Sequence, residues 1–179
     1  MQLPQTQENN EKMKHVFERL ESLINEFGSI EEVIASTKQF DHANYFLNDI
    51  VDNAIDILLI DEELVCREFE NIKLDVNFKL FSIAVKNLID NALKYSSDGK
   101  MVIKTDHEEI VFENHGNSLE YELDNYFEPF FKNSDKSSFG LGLYIVNSIL
   151  KANGYRLKYT YENEINRFSI VKQRDSHGV

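Results

Sequence analysis

Asn87, Asn91 and Lys94 stand four and then three residues apart in the run Asn87-Leu88-Ile89-Asp90-Asn91-Ala92-Leu93-Lys94-Tyr95-Ser96. On a helix that spacing lines up all three on one face. Leu88, Ile89, Ala92 and Leu93 can pack behind that face. An amide taken out of water costs free energy unless something bonds it. A metal ion carrying phosphates would satisfy the three polar groups together. The Asn91 carboxamide oxygen suits a hard cation such as Mg²⁺, and the Lys94 ammonium suits a phosphate oxygen. The plain alternative, a helix with a solvent-facing polar stripe, serves for any one of these residues taken singly.

A second segment favours the chemical reading. Phe139-Gly140-Leu141-Gly142-Leu143-Tyr144 opens a helical stretch. Gly140 and Gly142 permit close backbone approach to a ligand, and the free N–H groups and dipole of a helix start suit an anion. Gly-Leu-Gly-Leu alone marks a tight turn as readily. It gains weight by lying downstream of the amide helix across the long polar segment 117–139, because long loops in compact domains are mostly functional or disordered.

Asn114-His115-Gly116 ends a predicted strand. Asn114 could read an adenine edge through its side-chain amide, and Gly116 would let a base or sugar approach the backbone; a simple turn explains both as well. Tyr95 could cover a bound base or ribose, or cap the core. Lys132 and Lys136 could reach phosphates from the polar segment, although such lysines are more often solvated. His15, His42, His107, His115 and His177 are scattered, with no acid or cysteine partners at metal-ligand spacing. Neither a Gly-x-Ser-x-Gly elbow nor a Gly-x-x-x-x-Gly-Lys-Ser/Thr phosphate loop is present.

The elements that must position these residues follow from periodicity. Residues 1–10 read as a disordered lead. From Glu11 to about Ser36, Met13, Val16, Phe17, Leu20, Leu23, Ile24 and Phe27 recur at threes and fours, close to a heptad seam. Gly28 and the capping pattern Ser29-x-x-Glu32 either break this helix or mark a weak point. One helix cannot bury its own stripe, so the seam predicts a partner helix. A helix is expected at about 46–60, a strand at 65–74 and a long helix at 78–95 with Asn77 as N-cap. Ser96-Ser97-Asp98-Gly99 is a turn. A hairpin follows at 101–105 and 109–114, then a helix at about 141–152 and strands at about 155–162 and 166–172. The fold class is α+β: a two-layer sandwich with helices on one face of a mixed, mostly antiparallel sheet, preceded by a long amphipathic helix.

Bulk properties narrow the function classes. The formal net charge of −12 disfavours a nucleic-acid backbone as partner. The single cysteine, Cys66, excludes an internal disulfide and a cysteine-based metal site, and a reducing cytosol fits it best. No uninterrupted apolar run approaches the roughly 20 residues that span a bilayer as a helix.

Taken in order, these segments resemble the ATP-binding catalytic domain of two-component sensor histidine kinases, in the ATPase superfamily shared with gyrase, the heat-shock chaperone of the ninety-kilodalton class and MutL. Asn87 to Ser96 resembles the N box. Glu113-Asn114-His115-Gly116 resembles the first glycine box, Tyr126 to Lys132 the F box, and Gly140-Leu141-Gly142-Leu143 the second glycine box. The resemblance divides the chain into residues 1–10 as lead, 11–37 as the second helix of a dimerisation and phosphotransfer hairpin, 38–174 as the catalytic domain and 175–179 as tail.

The resemblance implies ATP and Mg²⁺ as ligands. Asn91 would coordinate the metal, Asn87 would order the phosphates and nearby water, Lys94 would bind phosphate, and Tyr95 would flank the nucleoside. Asn114, Gly116 and Lys132 would complete the nucleotide site, and Gly140, Leu141, Gly142 and Leu143 would let a lid fold around the triphosphate. The implied reaction moves the ATP γ-phosphoryl to a histidine and onward to a response-regulator aspartate, in a homodimer built through the hairpin. His15 is followed by Val16 and Phe17, which is not the family's phosphoacceptor pattern. The expectation is therefore a cytoplasmic fragment, itself not membrane-inserted and unable to autophosphorylate alone, from a protein anchored in the inner membrane by upstream segments.

Three positions depart from the family pattern: Asn114 stands for an aspartate, Ser118 for the second glycine of the first box, and Ser138 for the first glycine of the second. They support an alternative, a degenerate binding or dimerisation module without nucleotide. A superfamily ATPase is the other alternative. It would need a glutamate base where Asn87 stands, and an amide cannot take a proton from water.

Overall fold

The computed structural model describes residues 42–107, 109–131 and 139–173 and, within the expected helix 11–37, Met13, Lys14, Val16, Phe17, Ile24 and Gly28. Those six positions are helical. Met13, Val16, Phe17 and Ile24 keep 53–69% of their surface exposed. The remaining seam residues, Lys132, Lys136 and Ser138 lie outside the described residues, and so does most of the expected helix 11–37.

From Ala43 the chain alternates short strands and helices. Strand β1 (Ala43–Phe46) leads directly into helix α1 (Leu47–Leu58), whose buried residues Leu47, Ile50, Val51, Ala54 and Ile55 recur at threes and fours. Strands β2 (Val65–Glu68) and β3 (Lys73–Val76) follow, then helix α2 (Phe78–Lys94). The Asn77 side chain caps α2 by accepting from the Leu80 N–H at 3.0 Å. Strands β4 (Met101–Asp106) and β5 (Glu109–His115) form the expected hairpin. Helix α3 (Gly142–Ala152) and the hairpin of β6 (Tyr155–Glu162) with β7 (Ile165–Lys172) close the domain.

The main sheet has five strands in the order β2-β4-β5-β7-β6, and β1 with β3 forms a separate two-stranded ribbon. Only the β2–β4 pair in the main sheet is parallel, so the sheet is mixed and mostly antiparallel. Helices cover one face. Between them and the sheet lie Phe81, Leu88 and Ile89 of α2 and Met101, Ile103, Ile110 and Phe112 of the hairpin. Burying side chains of this size stabilises by about 1.5–3 kcal/mol each. A second cluster, Leu80, Ala84, Leu141, Ile145 and Ile149, seals α2 to α3. No described helix is long and apolar enough to cross a membrane.

One expected element is corrected. Residues 65–74 are not a single strand but parts of two, β2 and β3, in different sheets. No glycine or proline marks the break. Tertiary bonds make it instead: the Asn48 N–H donates to Asn71 Oδ1 at 3.0 Å, the Glu70 N–H to Thr105 Oγ1 at 3.1 Å, and the Leu47 N–H to the Ile72 carbonyl at 2.9 Å.

Candidate functional site

Helix α2 carries the amide face. Asn87 is buried, Asn91 half-buried and Lys94 exposed, so the three residues climb from the core to the surface along one side. The Lys86 ammonium reaches Asn87 Oδ1 at 3.4 Å. The Lys94 ammonium lies 5.1 Å from the centre of the Tyr95 ring, within cation–π range.

Helix α3 brings its start to this face. Leu141 precedes it and gives it no side-chain cap, and no acid occupies its first turn. The first amides of an α-helix have no intrahelical acceptors. Among the described residues, the start of α3 therefore presents N–H groups and the positive end of the helix dipole without a built-in anion. A methyl group at Gly142 would lie 3.6 Å from Asn91 Nδ2 and 3.8 Å from its Oδ1, so the Asn91 carboxamide sits beside that start. Leu141 is buried among Leu80, Ala84 and Ile145, and Leu143 packs on the main core. Their side chains hold α3 in place.

The end of β5 closes the other side. The His115 carbonyl accepts from the Ser97 N–H at 2.8 Å and from Asn114 Nδ2 at 3.2 Å. At Gly116 an L side chain would collide with the Tyr95 carbonyl, so glycine there lets the end of α2 lie against the end of β5. The Tyr95 ring remains about half exposed. Asn114 is buried on the helix-facing side of the sheet, and its partner across to β7 is Asn166, also buried.

Gly140 has a different task. Its φ of +72° is left-handed, a side chain there would strike the Phe131 carbonyl, and its own carbonyl accepts from the Phe130 N–H at 3.2 Å. The aromatic cluster packs at this junction, with Tyr121 and Tyr126 each edge-on to Phe131 at 5.3 Å between ring centres. In the turn after α2, the Ser96 hydroxyl and the Lys100 N–H donate to Asp98 and hold its carboxyl below the usual value of 3.8.

The structure thus brings Asn87, Asn91, Lys94, Tyr95, Asn114, Gly116, Gly140 and Gly142 to one end of the helical layer, from segments far apart in sequence. Residues 77–175 match the family model described as histidine kinase-, DNA gyrase B-, and HSP90-like ATPase. The chain belongs to that family. Among its relatives is the sensor histidine kinase ArsS of Helicobacter pylori, 33% identical over 158 residues, which cover 85% of this chain and 37% of the relative. The heme sensor protein HssS of Staphylococcus epidermidis is 30% identical over 166 residues, covering 83% and 37%. The matched region therefore spans little more than a third of each of these family members.

Solved structures show the same fold. The Acinetobacter baumannii histidine kinase AdeS superposes with a TM-score of 0.69 at 18% identity, over 92% of this chain and 84% of that one. The mycobacterial sensor histidine kinase MprB gives 0.59 at 22% identity, over 73% and 96%. The family's ATP-binding fold accounts for the five-stranded sheet and the helical layer that carry the site.

Sequence reasoning missed two residues of this end, Asn166 and Tyr159. Their signal was parity: Asn166 shares the inward register of β7 with Phe168 and Ile170, and a carboxamide there must find partners.

Proposed function

We propose that this chain is the ATP-binding catalytic part of a two-component sensor histidine kinase. It would move the γ-phosphoryl of ATP to a histidine on another segment, and from there a response-regulator aspartate would receive it. The observation that carries this reading is the meeting of the Asn91 carboxamide with the start of α3 at Gly142, where Leu141 supplies no side-chain cap. A carboxamide oxygen, a nearby ammonium and free helix-start amides form a donor set suited to a polyphosphate with a hard cation.

Each residue has a task in this reading. The α3 amides at Gly142 and Leu143 cradle phosphate oxygens. Lys94 neutralises phosphate charge, Asn87 orders the phosphates and nearby water, and Asn91 offers its oxygen to the cation. Asn114 reads the base edge, Tyr95 flanks the nucleoside, and Lys132 reaches in from the polar segment. Bound Mg²⁺ would offset negative charge on the triphosphate as the bond from the γ-phosphorus to its bridging oxygen breaks. The histidine nitrogen forms the new bond and ADP leaves. Catalysis here is positioning and charge stabilisation. The amide at Asn87 cannot act as a base toward water, which disfavours steady hydrolysis.

The exposed apolar positions Met13, Val16, Phe17 and Ile24 support a homodimer through the helical hairpin to which the expected helix 11–37 belongs. The reading also includes a cytoplasmic location and anchoring of the intact protein by other segments.

Titration calorimetry tests the site. Asn91→Ala should abolish Mg²⁺-dependent ATP binding while the melting temperature of the free chain stays near the parent's. Unchanged ATP affinity in that variant would remove the basis of the proposal.

A further inference from the structure

The side chains of Tyr159 and Asn166 form a continuous hydrogen-bonded chain with two backbone groups. The Tyr159 hydroxyl donates to Asn166 Oδ1 at 2.7 Å and accepts from the Leu119 N–H at 3.0 Å. Asn166 Nδ2 donates to the Asn117 carbonyl at 3.1 Å. Every group has its complement, so the carboxamide of Asn166 has one orientation: turned over, its oxygen would face the Asn117 carbonyl and its NH₂ would lose that acceptor. The Tyr159 ring is itself fixed, lying 4.9 Å from Phe168 between centres. Burial is the main cause that holds the hydroxyl above its usual value of 10.0, so it remains a donor at neutral pH.

This chain fastens residues 117–119 to the β6–β7 hairpin at two points. The Gly116 N–H adds a third by donating to the Glu164 carbonyl at 3.0 Å. The fastened segment follows directly on Asn114, and Asn114 faces Asn166 across the β5–β7 ladder. One of the two N–H groups of Asn114 Nδ2 donates to the His115 carbonyl, which orients the carboxamide, and its oxygen is the acceptor it can offer to a base. An oxygen in that place accepts from an exocyclic amino group and opposes a ring carbonyl.

We propose that Tyr159 and Asn166 are positioning residues for the nucleobase subsite, holding the Asn114–Leu119 segment so that the Asn114 oxygen selects a 6-amino purine over a 6-oxo purine. This rests on the nucleotide site described above. Neither residue needs to touch the phosphates, so their effect falls on base recognition.

The test compares ATP with inosine triphosphate, which carries a carbonyl in place of the amino group. Dissociation constants for both, with Mg²⁺, are measured by calorimetry on the parent chain, Tyr159→Phe and Asn166→Asp, well below each melting temperature. The parent should prefer ATP. Tyr159→Phe keeps the ring on Phe168 and removes the hydroxyl. It should weaken ATP by about tenfold, as for a lost hydrogen bond of ordinary strength, and inosine triphosphate by much less, so the preference collapses. Asn166→Asp keeps an acceptor for Tyr159 but opposes the Asn117 carbonyl, and should collapse the preference too. It carries the test if Tyr159→Phe does not fold. A purely structural role would lower the melting temperature and leave the ATP to inosine triphosphate ratio at the parent value, and that result overturns the inference alone. A parent chain that binds neither nucleotide overturns the nucleotide site, and this inference with it.

Discussion

Asn153 Oδ1 accepts from the backbone N–H of Asn77 at 2.9 Å, while Asn153 Nδ2 donates to the Ile149 carbonyl at 2.8 Å. One buried carboxamide thereby joins the N-cap of α2 to the C-terminal turn of α3. These are the two helices whose other ends meet at Asn91 and Gly142, so the joint fixes their relative tilt from the far side of the domain. Replacing Asn153 with Ala leaves the partly buried Asn77 N–H without that acceptor, which costs about 1 kcal/mol. The expected outcome is a lower melting temperature, with ATP affinity reduced by no more than a few-fold once measured well below it. A parent-like melting curve would show that the joint is not under load.

Gly140 and Gly142 are two residues apart and should respond oppositely to alanine. At Gly140 the left-handed backbone and the Phe131 carbonyl both reject a side chain, so Gly140→Ala should destabilise by at least about 1–2 kcal/mol. At Gly142 the added methyl would make only ordinary contact with Asn91. A helix gains up to about 1 kcal/mol from that exchange. Gly142→Ala should therefore keep or raise the melting temperature while weakening Mg²⁺·ATP, because the methyl enters the gap between Asn91 and the α3 amides. Melting curves and calorimetry on the two variants check the contrast.

Much of this arrangement was legible in the sequence, and the exceptions have physical causes. Helix α2 was readable to within a residue because its apolar spacing, its Asn77 cap and the turn at Ser96–Gly99 agree. The β4–β5 hairpin was readable from alternation, although its turn uses His107 at a φ of 54° rather than a glycine. The division between β2 and β3 was not readable, because Asn48, Thr105 and Leu47 impose it from elsewhere in the fold. The amide face and glycine segment could be named from spacing, but not the roles of individual glycines. Gly116 yields to the Tyr95 carbonyl and Gly140 to the Phe131 carbonyl, contacts between residues distant or separated in sequence. The Tyr159–Asn166 chain escaped notice because its bonds go to backbone groups of residues 117–119, which no side-chain pattern records.

Ser82 lies in α2 with its hydroxyl fully buried and, among the described residues, without a hydrogen-bond partner. A buried donor in that state subtracts from stability. Ser82→Ala removes the hydroxyl, adds no volume and favours the helix. The chain should gain about 1 kcal/mol, seen as a rise in the urea midpoint with an unchanged slope. A fall would mean that the hydroxyl has a water partner worth more than its desolvation.

Acid and alkali should act through different residues. The Lys158 ammonium donates to Glu109 Oε1 at 2.7 Å and is the main cause holding that carboxyl below its usual value of 4.5. A lowered folded value means stability that is present above pH 4.5 and is lost as pH falls through the folded value. Both side chains are more than a third exposed, so screening keeps the pair within about 1 kcal/mol. Glu109→Gln should therefore be slightly less stable than the parent at pH 7, with the difference shrinking as pH falls below 4.5, by urea unfolding. On the alkaline side, burial and then Asp75 raise the Tyr155 hydroxyl above 10.0. A raised folded value means stability that is whole below pH 10 and lost as pH climbs through the folded value. Tyr155→Phe keeps the edge contact with Phe81 at 5.4 Å and has no proton to lose. Its urea midpoint should fall less steeply than the parent's between pH 9 and 11, and parallel curves would assign the alkaline loss to other groups.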